Sequence, residues 1–159
     1  MNSAPGNRRI IGYAAGATLA SLMYVGWLME YMGSDPDTAQ LGFGFRLLFA
    51  SFFWLTEGFA LTLFLMIAPW SLAVSAYGIF RRFGRLYFPA VGALIVFTLG
   101  CATASISWKP LFIEDQTFLE GAVVAAQRQG LGFILAGIAF GVSYWLFGER
   151  MIPGQEKQD

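Results

Sequence analysis

The sequence predicts an all-α integral membrane protein, a four-span transmembrane helix bundle whose second and fourth helices are long and extend beyond the membrane. Three observations lead there. The chain of 159 residues is 57% hydrophobic and only 13% charged, with a mean hydropathy of +0.58, whereas soluble domains carry about 25% charged residues. Its apolar residues are gathered into long runs separated by short polar segments. Its arginines and lysines fall unevenly on the two sides that those runs define.

Composition also excludes several functions. The net charge is zero, so nothing points to a nucleic-acid partner. A single cysteine, Cys101, cannot form a disulfide within the chain. There is no histidine, which removes histidine-held haem, the usual zinc and copper sites, and Ser-His or Cys-His catalysis. No phosphate-binding G-x-x-x-x-G-K, paired intramembrane aspartates or serine-lysine dyad occurs. Neither enzymatic activity nor a cofactor is expected; the lipid bilayer and a membrane-protein partner are, with the oligomeric state left open.

The whole chain reads as one membrane domain. Its first span, about 10–32, is "IIGYAAGATLASLMYVGWLMEYM", interrupted only by Glu30 near its far end. It follows Arg8-Arg9 but is too long for a signal-peptide core and leads into "GSDPD", so it reads as an uncleaved helix. Gly12, Gly16 and Ala20 recur at spacing four, a stripe that lets another helix approach closely.

The second span lies within a longer helix, 45–80. Between Arg46 and Arg81 stand 34 residues whose one charge is Glu57; as helix they would measure roughly 50 Å, more than a 30 Å core needs. Two registers compete. A span of about 47–68 puts Glu57 at mid-membrane and lets Pro69 mark the exit. A span of 58–80 puts Glu57 at the outer boundary, Trp54 in the aromatic belt, and Pro69 at a mid-membrane kink.

A basic cluster, Arg81, Arg82 and Arg85, precedes the third span, about 86–107. Ser71, Ser75, Gly78, Arg82 and Arg85 share one face of a continuous helix, which reads as a polar seam ending in a topology signal. The alternative is a lipid-headgroup or partner site. The outer segment, 108–128, contains Thr117-x-x-Glu120, the pattern of a capping box, so the fourth helix should start well before its span at 129–147. Gly137 and Gly141 form a small-xxx-small contact on that helix, read as packing within the chain. Residues 1–7 and 153–159 are short polar tails.

Orientation follows from charge. Four spans place Arg8, Arg9, Arg81, Arg82, Arg85, Arg150 and Lys157 on one side and Arg46, Lys109 and Arg128 on the other. Both termini should therefore be cytoplasmic, at the inner membrane if the source is bacterial. Trp27, Tyr31 and Trp108 would then form the outer aromatic belt, and Tyr77, Tyr87, Tyr144 and Trp145 the inner one.

Glu57 has two readings. It precedes Arg81 by 24 residues, as Arg128 precedes Arg150 by 22, so the acid and Arg128 come to similar depths on two parallel helices. A boundary ion pair between them is the preferred reading. In the other, Glu57 and Trp54 share a helical face as a coupling or substrate site. That pairing is similar to the acid-and-aromatic sites of small multidrug exporters, also four-span proteins, which however carry the acid in the first helix. The expected function follows the first reading: a non-enzymatic accessory or assembly subunit acting through helix packing and its outer segment. A small oligomeric proton-coupled transporter or channel is the alternative.

Overall fold

The computed structural model describes residues 5–34, 38–53, 65–112 and 117–149. Their regular structure is helical throughout, and no strand occurs among them. Three of the helical stretches, Asn7–Ser34, Arg82–Ser105 and Phe118–Glu149, are long and apolar enough to cross a membrane.

α1 (Pro5–Ser34) opens on a proline, where a missing amide costs no helical hydrogen bond. Near its end the Thr38 hydroxyl donates to the Met32 carbonyl (2.7 Å), satisfying one of the carbonyls a helix terminus leaves unpaired. Apart from Met32 near its end, the buried side of α1 is made of small residues: Gly12, Gly16, Ala17, Ala20 and Ser21. Ile10, Ile11, Leu19 and Leu22 point outward. A soluble helix does the reverse, burying its large apolar residues. Small residues inside and large aliphatic ones outside suit a helix whose solvent is hydrocarbon.

α2 (Phe43–Phe53) and α3 (Ile67–Phe80) are the described parts of the expected second helix. Residues 54–64, which include Trp54 and Glu57, lie outside the described residues. Pro69 stands in the first turn of α3, where proline is harmless; the expected longer helix with a kink there falls partly on residues 54–64, outside the described residues. The expected continuous face running to Arg85 is interrupted. α3 stops at Phe80, and a tighter 3-10 segment, Arg81–Leu86, follows it. Within that segment Gly84 has φ 51° and ψ −126°. A side chain there would clash with its own backbone, so the turn depends on glycine.

α4 (Tyr87–Phe112) and α5 (Phe118–Tyr144) form the main helix pair. α5 begins with the capping box that its sequence announces. The Glu120 amide donates to the Thr117 hydroxyl oxygen (3.4 Å), and the Thr117 amide donates to the Glu120 carboxylate (2.9 Å). At its other end α5 widens into a π turn, Trp145–Glu149.

α5 lies between α1 and α4 and runs antiparallel to both. Along α1 the contacts pair Gly12 with Gly148, Gly16 with Phe140, and Tyr24 with Gln129. Along α4 they pair Phe88 with Gly141, Gly92 with Gly137, and Ser105 with Gly121. A Cβ on Gly137 would fall against the Gly92 carbonyl, and one on Gly141 against the Phe88 carbonyl. A Cβ on Gly12 would lie 2.8 Å from the Gly148 Cα, and one on Gly16 2.9 Å from the Phe140 carbonyl oxygen. Backbones thus touch backbones, and no larger residue fits without separating the helices.

The widest side chains gather at one end of the bundle. Trp70 of α3 meets Phe140 and Tyr144 edge-on, with ring centres 4.5 Å and 5.0 Å apart, and it is tilted against Phe88. Tyr144, Phe88 and Phe140 are fully buried. Tyr87 is also buried, its hydroxyl donating to the Ala73 carbonyl (2.7 Å) and so tying α4 to α3. Tyr87 and Tyr144, expected in a surface belt, belong instead to this packed aromatic layer.

Overpacking a close-packed contact costs about 1–3 kcal/mol. Gly137→Ala should lower stability in detergent by about that much. Gly26→Ala, on a glycine with nothing near its added methyl, should change stability by less than about 0.5 kcal/mol. Thermal unfolding of the two variants side by side checks this; equal effects would contradict the close approach of α4 and α5.

Candidate functional site

The buried acid is Glu149, in the last turn of the described chain. Four features bring it inside. The π turn rewinds the end of α5. Gly12 of α1 has no side chain, which lets its backbone sit directly on Gly148. The Arg9 Nε donates to the Glu149 Oε1 at 3.0 Å, and the Tyr144 hydroxyl reaches the same oxygen at 3.4 Å. The Glu149 side chain is 6% exposed, whereas that of Arg9 is 50% exposed. A carboxylate taken out of water needs a partner of opposite charge, and Arg9 supplies one from the edge of the bundle. This is the one ion pair among the described residues.

Around it the same end of the bundle carries more basic charge. Arg85 lies over the Trp145 ring, 5.7 Å from its centre, and Arg82 lies over Phe83 at 5.1 Å. Both arginines are exposed.

A second polar contact lies inside the bundle. The Tyr24 hydroxyl donates to the buried Gln129 Oε1 at 3.1 Å, and the Tyr24 ring stacks on Phe133 and Trp27. Several hydroxyls turn to their own helices: Ser21 donates to the Ala17 carbonyl, and Thr103 to those of Leu99 and Gly100. The Trp70 indole nitrogen is buried among rings without a hydrogen-bond partner. Cys101 is buried beside Ala104, Ala125 and Phe133. No group of three metal-ligating side chains occurs among the described residues.

Of the residues singled out in the sequence, Gly12, Gly16, Gly137 and Gly141 all sit at helix crossings. Arg128 is exposed on α5. Its proposed partner Glu57, and Trp54 with it, lie outside the described residues, so the structure does not address that pair. Thr117 holds Glu120, which precedes the 129–147 span, below the usual carboxylate range, first through its backbone amide and then through its hydroxyl.

Glu149 was not anticipated. The signal was nonetheless present: helices one and four are antiparallel, so Arg9 just before one and Glu149 just after the other must share a depth.

These features define a class, an all-helical bundle with three apolar helices of membrane length among its described residues. Beyond that class, no protein-family model, no curated protein and no solved structure matches the chain.

The ion pair has a measurable signature. Arg9→Gln should strand a buried carboxylate and lower stability by about 1–3 kcal/mol. Glu149→Gln leaves only a half-exposed guanidinium unpaired and should cost less. The double variant should lose less than the sum of the two, with a coupling of at least about 0.5 kcal/mol. Strict additivity in chemical or thermal unfolding would show that the two charges do not interact.

Proposed function

We propose that the chain is a four-span membrane protein with both termini cytoplasmic, and that it serves as an accessory or assembly subunit of a larger membrane complex. The topology is supported by a constraint of connectivity. α1 and α4 are parallel, each antiparallel to α5, so α1 ends at the opposite end of the bundle from the start of α4. Arg46 of α2 packs beside Gly33, near the end of α1. Trp70 of α3 packs among Phe88, Phe140 and Tyr144, near the start of α4. The chain between α1 and α4 therefore travels the length of the bundle once more. Four traverses return the C-terminus to the side of the N-terminus, as the seven-to-three distribution of arginine and lysine asks.

The proposed role rests on the overhang of α5. From Phe118 to Glu149 there are 32 helical residues, about 48 Å, against a hydrocarbon core of about 30 Å. With the span at 129–147, the first turns of α5 project beyond the membrane. Those turns expose Phe118, Leu119 and Val123, and an open hollow there is lined by Leu119, Glu120, Val123 and Val124. An apolar patch rimmed by charge on a segment outside the bilayer marks a surface for another protein.

Two experiments check this reading. In a Cys101→Ala background, a cysteine replacing Ser34 should react with an impermeant maleimide from outside intact cells, and a tag after Asp159 should be reached only after permeabilisation. A tag accessible from outside would mean an odd number of spans.

For the role, the chain solubilised gently from its native membrane should migrate with a second membrane protein at fixed stoichiometry. Leu119→Asp with Val123→Asp should release that protein while leaving the melting temperature within about 3 °C, as expected of surface changes. A lone homo-oligomer whose proton-coupled flux is abolished by Glu57→Gln would replace this reading with transport.

A further inference from the structure

The segment between α3 and α4 carries chemistry that helix packing does not use. Arg82 and Arg85 are exposed and have no carboxylate within ion-pair distance among the described residues. The nearest described acid in the fold, Glu149, is buried and already held by Arg9. Each guanidinium lies on an aromatic face, Arg82 on Phe83 and Arg85 on Trp145. A guanidinium over a ring gains cation–π attraction without using its N–H donors, the groups with which arginine receives phosphate oxygens. Phe83 stands between the arginines and Leu86 directly follows them, 52% and 75% exposed. Basic and large apolar residues alternate within six positions, as they do where a segment sits at the level of lipid headgroups.

The turn is also built rather than merely basic. Gly84, with φ 51°, breaks the helix between the two arginines. Trp145, which receives Arg85, comes from the π turn of α5, so two separate elements shape the surface.

We propose that Arg82 and Arg85, with Phe83, Leu86 and Trp145 around them, bind the phosphate of an anionic glycerophospholipid, the apolar pair entering the acyl region beside it. This rests on the reading that this end of the bundle lies at the cytoplasmic membrane surface. Its test is independent of the labelling that tests the orientation. The partner is a lipid rather than a soluble phosphate because Phe83 and Leu86 would otherwise face water on either side of the anion.

The test is thermal unfolding of the full chain in a neutral detergent, titrated with phosphatidylglycerol, phosphatidylcholine or inorganic phosphate. Phosphatidylglycerol should raise the melting temperature at a concentration at least tenfold lower than phosphatidylcholine, and millimolar inorganic phosphate should not compete with it. Arg82→Gln with Arg85→Gln should erase that preference. Arg82→Lys with Arg85→Lys, which keeps charge and threatens folding least, should weaken it at least threefold, because an ammonium cannot reproduce the stacked fork. Gly84→Ala should weaken it similarly without altering any charge. Arg128→Gln, an exposed cation elsewhere on α5, should leave it unchanged. The proposal is overturned if the two lipids act equally, if inorganic phosphate displaces phosphatidylglycerol, if Arg128→Gln is as harmful as the loop variants, or if the lysine pair keeps the full preference.

Discussion

The fold depends on backbone contact along α5. In hydrocarbon there is no hydrophobic force to press one helix against another, because lipid chains are as apolar as leucine. What remains is dispersion, which grows with closeness and with the number of atoms that meet. Gly92, Gly137 and Gly141 let α4 and α5 meet carbonyl to Cα, and Gly12 and Gly148 do the same for α1 and α5. Remove that closeness and the aromatic layer of Trp70, Phe88, Phe140 and Tyr144 has no fixed walls to fill. α5 is thus the helix on which the others are assembled, and its glycines are placed on two sides because it has two partners.

Polar groups follow from the same solvent. Serines and threonines donate to carbonyls of the preceding turn, so they demand nothing of neighbouring helices. Where a polar group does cross between helices, it is closed on a partner: Tyr24 on Gln129, Ser105 on the Phe118 carbonyl, Arg9 on Glu149. Two buried nitrogens among the described residues are exceptions: the Trp70 indole, buried for its area, and the Arg46 Nε are both unpaired. Charge among the described residues otherwise collects toward the ends of the bundle, as the proposed membrane spans would ask.

Much of this was legible in sequence because membrane helices are marked by composition and length. The apolar runs announced α1, α4 and α5, and Thr117 with Glu120 marked the start of α5 through a local hydrogen-bond pattern that needs no tertiary context. The glycines at spacing four were visible too, but not which helix each would meet, since one stripe can serve any neighbour. The second apolar run was harder. Its single charge implied one long helix, whose middle, residues 54–64, lies outside the described residues, and a turn at Gly84 ends the face that Ser71 and Ser75 began. Tyr87 and Tyr144 looked like belt residues because aromatic character alone does not say whether a ring faces lipid or a neighbouring helix. Glu149 was missed because its burial comes from the winding of the chain end, which no spacing rule records.

That winding has a consequence of its own. Five residues of ordinary α-helix turn through about 500°, which would leave Glu149 roughly 140° around the axis from Tyr144. The π turn closes hydrogen bonds one residue further along and brings the fifth residue back toward the first, so that the Tyr144 hydroxyl can donate to the Glu149 carboxylate. The end of α5 therefore works as a phase adjustment: one additional residue per turn resets which way everything after it points. In this stretch the number of residues matters more than their identity. Were the same five residues wound as ordinary α-helix, composition and hydropathy would be untouched, yet the carboxylate would rotate away from Tyr144.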